Sequence, residues 1–502
     1  GDFIMRKNFY PATLLCDFYK TSHREQYPVN TTKIYSTWTP RTSRIEGINE
    51  VVAFGFQGFI KDYLIDFFNE NFFDRKLEDV IEEYERVIKH CLGKEKVDTS
   101  HIKALHELGY LPIKICAVDE GTLVPIRVPM LTIENTVDDF FWITNYLETL
   151  MSTMLWQPTT SATISHTYRN ILNEWYNKTV EENNDFLNDV AFQGHDFSMR
   201  GMSSLETVKT SGAGHLLNFV GTDSIPGILY LEKNYNSNIE NEMIGTSISA
   251  TEHSVQCAYG QEKEFETYKR LINEVYPNGL VSIVSDTWDL WNVINNYLPR
   301  LHEDIMKRDG KIVIRPDSGE PIDILCGNPN GKTESERKGV IELLWEQFGG
   351  TITKQGYKVL DSHIGAIYGD AITLQRCNEI CTRLAKKGFA SINVVFGIGS
   401  FSFAYNTRDT FGFTLKSTYA VIGGEENFLF KNPVTDNGVK KSQRGRVYVY
   451  RNNLNNLVYR DELDMKTSKE FENSNLLRPL FEDGKLLRET SLQEIRNRII
   501  EA

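Results

Sequence analysis

The sequence predicts an α/β protein: an irregular (β/α) barrel domain plus an α+β domain built from the N-terminal and C-terminal segments. Three observations predict it. Residues 311–319 (KIVIRPDSG), 281–286 (VSIVSD), 364–370 (IGAIYGD) and 392–400 (INVVFGIGS) are each a β-rich apolar run closed by Asp, Gly or Ser, as in strands covered on both faces. Helix-like stretches follow most of them, and repeated β–turn–α units argue for parallel strands whose polar ends converge on one rim. After Asp409 the chain turns β-rich at 413–422, 428–431 and 446–450, which suits a segment packing back on the first domain. The expected domains are therefore 5–185, 186–408 and 409–502.

Taken in order, residues 8–35 read as a loop and helix with aromatic and basic character from Tyr19, Lys20 and Arg24. A strand at 33–38 precedes Pro40 and Arg41, and helices are expected at 58–72 and 77–92. Residues 111–118 and 123–126 alternate around Asp119-Glu120-Gly121, the pattern of an antiparallel hairpin. Residues 141–155 carry one apolar stripe at helical spacing. Pro158 is expected to end that helix and another to begin at Ala162. The polar run 181–185 reads as a connector, followed by alternating strands and helices. Ser491 is a candidate N-cap for the last helix, with Glu494 three residues on.

With 502 residues the chain can bury large cores, and 40% hydrophobic with 25% charged residues is an ordinary globular balance. A net charge of −13 argues against a general nucleic-acid or membrane-surface binder. Any phosphate site is then a local basic pocket on an acidic protein. The seven scattered cysteines suit reduced thiols in a cytoplasm. Cys377 and Cys381, one helical turn apart, lack a second pair at matching spacing and read as core. No signal peptide and no apolar run near the ~20 residues of a membrane span is evident. Residues 1–4, ahead of Met5, are left out of the functional reading.

The residues able to carry chemistry cluster at the strand ends. His195-Asp196-Phe197-Ser198-Met199-Arg200-Gly201 offers a ring face in Phe197 and an anion-binding guanidinium in Arg200. Ser211-Gly212-Ala213-Gly214-His215 is glycine-rich but lacks the P-loop lysine. Asp223 closes an apolar run in the manner of the other strand-end acids. His253, beside Glu252 and with Asp286 and Asp289 at the next junction, is the candidate nucleophile. A carboxylate on one imidazole nitrogen holds the tautomer and leaves the other free to attack. Gly397-Ile398-Gly399-Ser400 could cradle phosphate on backbone amides. Arg408, Lys416 and Lys431 add cations, whereas the run Lys440, Lys441, Arg444 and Arg446 reads as a solvated face.

Taken together, DFYKTSHREQYP, HDFSMRG, FVGTD, EHS, VSIVSD with Asp289, IRPDSG, YGD, FGIGS, TRD and KNPV, in this order, resemble the nicotinamide phosphoribosyltransferase family, of the type II phosphoribosyltransferase group. The resemblance runs through most of the chain. It implies joining nicotinamide to phosphoribosyl pyrophosphate, giving nicotinamide mononucleotide and pyrophosphate. It also implies a homodimer with shared active sites, ATP as a co-substrate hydrolysed through a phosphohistidine, and substrate-bound Mg²⁺ without firm protein ligands. Phe197 and the partner subunit's Tyr19 would sandwich the pyridine ring, Asp223 would accept from the carboxamide, Arg200 would lie near ring and phosphates, and Ser285 would line the tunnel. His253 would take the phosphoryl group, oriented by Asp289 with Glu252 nearby. Arg315 would engage substrate, with Asp317, Gly369 and Asp370 around the ribose. Gly399, Ser400, Arg408 and the partner subunit's Arg41 would hold phosphate, with Thr414, Lys416 and Lys431 on the partner-side wall. Two positions depart from the family pattern: Ser400 stands where a glycine is typical, so its side chain narrows the pocket, and Thr414 stands where a serine is usual.

Three rival readings remain. Nicotinate phosphoribosyltransferase does the same chemistry on a carboxylate, which an ionised Asp223 would repel while accepting from an amide. A non-catalytic nucleotide-binding barrel needs no poised His253. A metal-dependent barrel hydrolase needs a His-rich ligand set that the sequence does not supply.

Overall fold

The computed structural model describes residues 10–436 and 442–502. The start of the first expected domain at residue 5, and Lys440 and Lys441, lie outside the described residues. The chain forms two compact units: Gly1–Thr160, Lys233–Asn236 and Thr407–Ala502 make one, Ser161–Glu232 and Ser237–Asn406 the other. The expected boundary near 185 is therefore displaced to Ser161. The polar run 181–185 does break the helix pattern, but the helix before it already packs in the second unit. There Ser161 bonds Ser211 at 2.9 Å and Ser165 bonds the Gly214 carbonyl at 3.1 Å.

In the first unit both ends of the chain share one antiparallel sheet. Thr31–Pro40 lies between Phe413–Ile422 and Leu131–Asn135, and Ile113–Ala117 pairs with Arg478–Glu482. The hairpin expected across 111–126 does not form. Ile113–Ala117 pairs with Leu131–Asn135, and Leu123–Pro125 pairs with Glu50–Val52. The turn residue between them, Glu120, is instead buried as a hub. Its carboxylate accepts from the amides of Gly55 (2.5 Å), Phe56 (3.0 Å) and Gln57 (3.1 Å) and from the Tyr235 hydroxyl (2.9 Å). Burial raises its pKa while these donors pull the other way. Gln57 also bonds the Asn234 carbonyl at 2.6 Å, which accounts for the return of Lys233–Asn236 to this unit. Nor does Pro158 stop its helix, which runs Glu148–Thr179. Gly55 makes room for the ring: a Cβ there would meet Pro158 Cγ at 2.5 Å.

The second unit is the parallel barrel. Its strands are β1 (Gly194–Asp196), β2 (Gly221–Thr222), β3 (Ser249–Ala250), β4 (Gly279–Val284), β5 (Gly310–Arg315), β6 (Ile364–Tyr368) and β7 (Val394–Ile398). Sequential strands pair in parallel from β3 to β7, β7 pairs with β1, and β1 with β2. The gap between β2 and β3 is bridged by the segment that pairs Thr246 with Gly221 and then Ser249 with Val281. The irregular (β/α) barrel expected from the strand repeats is thus what the chain forms. Ile283, Ile312, Ile314, Phe396 and Ile398 are fully buried in it. The glycine-rich SGAGH stretch is not a loop but the end of helix Leu205–Leu216, where Gly212 allows Gly227 to approach. Cys377 and Cys381 are buried and free, as core residues. Ser491 caps the last helix by accepting from the Glu494 amide at 3.1 Å. Among the described residues no helix is long and apolar enough to cross a membrane.

Replacing Glu120 by alanine removes the acceptor of three buried amides and of the Tyr235 hydroxyl proton, a loss on the order of 3 kcal/mol or more. Glu120→Ala is expected to lower the melting temperature by several degrees; an unchanged thermal unfolding curve would contradict the hub.

Candidate active site

All seven parallel strands end at the same rim. A cavity of about 950 Å³ opens there, lined by Phe197, Arg200, Asp223, Glu252, Arg315, Asp317, Gly369, Asp370, Gly399 and Ser400, all anticipated, together with Met199, Thr251 and Phe401, which were not.

After β1, fully buried Asp196 fixes a tight turn: its Oδ1 accepts from the Ser198 amide at 2.8 Å and hydroxyl at 2.6 Å. This holds Phe197, whose ring lies over Gly397 of β7; a Cβ at 397 would meet that ring at 2.5 Å. The His195 ring sits 4.7 Å from the Phe197 ring. Asp223, after β2, accepts on Oδ1 from His195 Nε2 and from Ser247 Oγ, each at 2.7 Å. Burial raises the Asp223 pKa, but those two donors and the charges of His195 and Arg315 outweigh it, so the carboxyl lies below its ordinary range.

Arg315 closes β5. It donates from Nη1 to Ser282 Oγ at 3.1 Å and from Nη2 to the Thr251 carbonyl, and its Nε stands 3.5 Å from Asp317 Oδ2. The Asp317 amide donates to Asp286 Oδ2 at 2.9 Å, and Ser318 Oγ to the same oxygen at 2.5 Å. Burial raises the Asp317 pKa, opposed by Arg315 and reinforced by Asp286. Oδ1 of Asp286 and Oδ1 of Asp317 are both buried and, among the described residues, have no hydrogen-bond partner. With His253 they offer ligand atoms within 4.8 Å of one another, a donor set suited to a hard divalent cation. No metal ligands were expected from the sequence.

His253 begins helix His253–Tyr259, and its side chain is half exposed. Its Nδ1 is 2.9 Å from Thr287 Oγ1, and its Nε2 is 3.8 Å from Asp286 Oδ1. The acid within ion-pair distance of His253 is therefore Asp286, not Asp289 as expected. Asp289 Oδ1 is taken by the amides of Trp291 (3.0 Å) and Asn292 (3.1 Å), capping the next helix, and its charge acts on buried Glu264. Ser285 does not line the cavity either. It is fully buried, donating to the Ile283 carbonyl at 2.8 Å and accepting from the Tyr268 hydroxyl at 2.9 Å. Ser400 turns its side chain onto Gly201, where a Cβ would meet Oγ at 2.1 Å, so it fills space against the β1 turn. Gly399 has open space around it.

The remaining anticipated residues belong to the first unit. Arg41, Thr414, Lys416 and Lys431 line one cavity of about 470 Å³ with Arg127, whose basic character had not been singled out. The register explains the grouping. Thr37 faces Lys416 and Thr39 faces Thr414 across the sheet, and alternate residues share a face. Burial, then Lys431 and Arg41, lowers the Lys416 pKa, the mark of cations crowded together. Tyr19 and Arg408 line another recess of about 250 Å³, beside the Lys20–Glu148 ion pair at 3.0 Å.

Two family models match this chain. One is described as the nicotinate phosphoribosyltransferase family, over residues 192–484, and the other as the nicotinamide phosphoribosyltransferase N-terminal domain, over residues 12–115. A nicotinamide phosphoribosyltransferase of Acinetobacter baylyi is 46% identical over 495 residues, 96% of this chain and 96% of that protein. One from Mycoplasma pneumoniae is 36% identical over 455 residues, 86% of this chain and 94% of its own. Among solved structures, nicotinate-nucleotide pyrophosphorylase from Pyrococcus furiosus aligns with a TM-score of 0.56 at 16% identity, covering 99% of this chain and 97% of that one. Human nicotinic acid phosphoribosyltransferase gives 0.52 at 15%, covering 97% and 93%. At such identities these two are similar in fold alone.

The crowded cations make a direct prediction. Inorganic pyrophosphate is expected to bind saturably by calorimetry, and the pair Lys416→Ala with Lys431→Ala to weaken binding by about tenfold or more. Equal affinity in parent and variant would contradict an anion site there.

Proposed function

The chain belongs to the nicotinate and nicotinamide phosphoribosyltransferase family, and we propose the following account of its chemistry. As a pentosyltransferase of NAD biosynthesis it joins nicotinamide to phosphoribosyl pyrophosphate, giving nicotinamide mononucleotide and pyrophosphate. The observation that carries the choice of nicotinamide is Asp223, a carboxyl held below its ordinary range at the rim of the cavity that Phe197 also lines. An ionised acceptor there accepts from a carboxamide and repels a carboxylate. This disfavours nicotinate as the substrate.

Phe197 offers the ring face for stacking, and Arg200 and Arg315 offer charge to the phosphates. Asp317, Gly369 and Asp370 suit a ribose because a Cβ at 369 would strike Asp317 Oδ1 at 2.6 Å, so glycine keeps that wall low. Loss of pyrophosphate leaves positive charge on the ribose carbon, and a stacked ring nitrogen held in line attacks it. The unpartnered oxygens of Asp286 and Asp317 fit Mg²⁺, which when bound would help neutralise the leaving group.

ATP is the proposed co-substrate, with His253 taking the γ-phosphoryl group, releasing ADP and later losing phosphate to water. The exposure of its ring and the engagement of Nδ1 by Thr287 support Nε2 as the attacking atom. Glu252 precedes it at the helix start. A homodimer with shared sites is part of the reading: the partner subunit's Tyr19 would cover the pyridine ring, and the partner subunit's Arg41 would reach the phosphates. The crowded cations of the first unit support a role there for Lys416 and Lys431, with Thr414 and Arg408 nearby in sequence. The seven cysteines, all free, support a cytoplasmic location.

A product assay offering nicotinamide and nicotinate in parallel, with and without ATP, tests the reading. Nicotinamide mononucleotide is the expected product, faster with ATP. His253→Ala should lose ATP hydrolysis and acid-labile labelling from γ-labelled ATP, yet keep a slower ATP-independent condensation. Turnover of nicotinate alone, or undiminished labelling of the variant, would contradict it.

A further inference from the structure

We infer that His195 and Ser247 are positioning residues that hold one oxygen of Asp223, leave the other to the cavity, and so set the preference for a ring carboxamide over a ring carboxylate. This rests on the reading of Asp223 given above.

Asp223 Oδ1 receives both His195 Nε2 and Ser247 Oγ at 2.7 Å. A carboxylate oxygen has two lone-pair directions, so Oδ1 is saturated. Among the described residues no donor reaches Oδ2, and the side chain is 47% exposed at the cavity. The two donors come from different places: His195 from β1, and Ser247 from the segment bridging β2 and β3. Rotating the carboxylate would break both bonds.

The imidazole is itself fixed. It is 9% exposed, it packs against Phe197 at 4.7 Å, and it lies over Gly221, where a Cβ would approach Nδ1 to 2.8 Å. Gly221 is thus a requirement of the His195 pose. With Ser247 also donating to the same oxygen, Nε2 carries the proton, since a carboxylate can only accept. Two donors on one oxygen favour the ionised acid over the neutral one. This matters for selectivity. A freely turning Asp223 that could take a proton would donate to a nicotinate carboxylate; a clamped acceptor cannot.

The test compares His195→Leu, His195→Gln and Ser247→Ala by kcat/KM for nicotinamide and for nicotinate, with KM for phosphoribosyl pyrophosphate as the control. Leucine removes the donor, whereas the glutamine amide can stand near the place of Nε2. His195→Leu is expected to cut the nicotinamide-to-nicotinate ratio by roughly tenfold, the scale of one hydrogen bond to a charged group. The change should fall on the nicotinamide KM more than on kcat, with the phosphoribosyl pyrophosphate KM unmoved. His195→Gln should recover most of the ratio. Ser247→Ala, at an exposed hydroxyl, should shift it in the same direction and serves should His195→Leu not fold. Equal impairment by leucine and glutamine, or an unchanged ratio in Ser247→Ala and His195→Leu, would overturn the inference. Asp223→Asn separates the layers: an unchanged ratio there overturns the reading of Asp223 and this inference together. If Asp223→Asn shifts the ratio while the positioning variants do not, the inference falls alone.

Discussion

The site depends on the pairing of the first and last barrel strands. Gly397 pairs with His195 and Ile398 with Asp196, in parallel register. That pairing joins the ends of the strand series, and it also seats Phe197 on the bare backbone of Gly397. The Phe197 amide donates to the Ile398 carbonyl at 2.9 Å, continuing the ladder one residue into the turn. From there Asp196 fixes the turn, His195 reaches Asp223, and Ser400 fits over Gly201. A shift of one residue in this register would send each of these side chains to the opposite face.

Carboxylates of one residue type do different work around the rim because their surroundings differ. Asp196 is buried and spent on a turn; Asp286 anchors the Asp317 amide; Asp289 caps a helix. Asp223 is kept low by donors, whereas Asp317 is pushed up by burial beside Asp286. The first suits a permanent acceptor. The second suits a group that gains from a cation or a ribose hydroxyl in its place.

Much of this was legible in the sequence because it is local. Apolar β-branched runs closed by Asp or Gly located the strands and their ends, and with them Asp223, Arg315, Asp317, Gly369 and Gly399, while the polar-aromatic cluster at 195–201 marked Phe197. What depends on distant partners was not legible. The 111–126 hairpin failed because Ile113–Ala117 and Leu123–Pro125 each found another strand. Pro158 lies inside a helix, with its ring packed where Gly55, about a hundred residues earlier, carries no side chain. Asp289 looked placed for His253, but its oxygen was claimed by nearby amides and Asp286 stood closer. Ser247 carried no signal, since a lone serine in a loop reveals nothing of the carboxylate it meets. His195 lay within a flagged motif, yet its strand position hid that its ring would reach the next strand end.

The rim offers ring stacking and ribose contacts, but its Arg315 is already committed to Ser282, Thr251 and Asp317. Arg200 adds a second cation to the rim, while Lys416, Lys431 and Arg41 crowd together in the first unit. The proposal that two copies complete each site rests on the family resemblance, and mixing two inactive variants tests it most directly. Tyr19→Ala and Phe197→Ala proteins, each inactive alone, are combined under conditions of subunit exchange, and nicotinamide mononucleotide formation is measured. A mixed dimer holds one intact site, so random exchange should restore up to about a quarter of the parental rate. A mixture that exchanges subunits yet forms no more product than either variant alone would contradict the account.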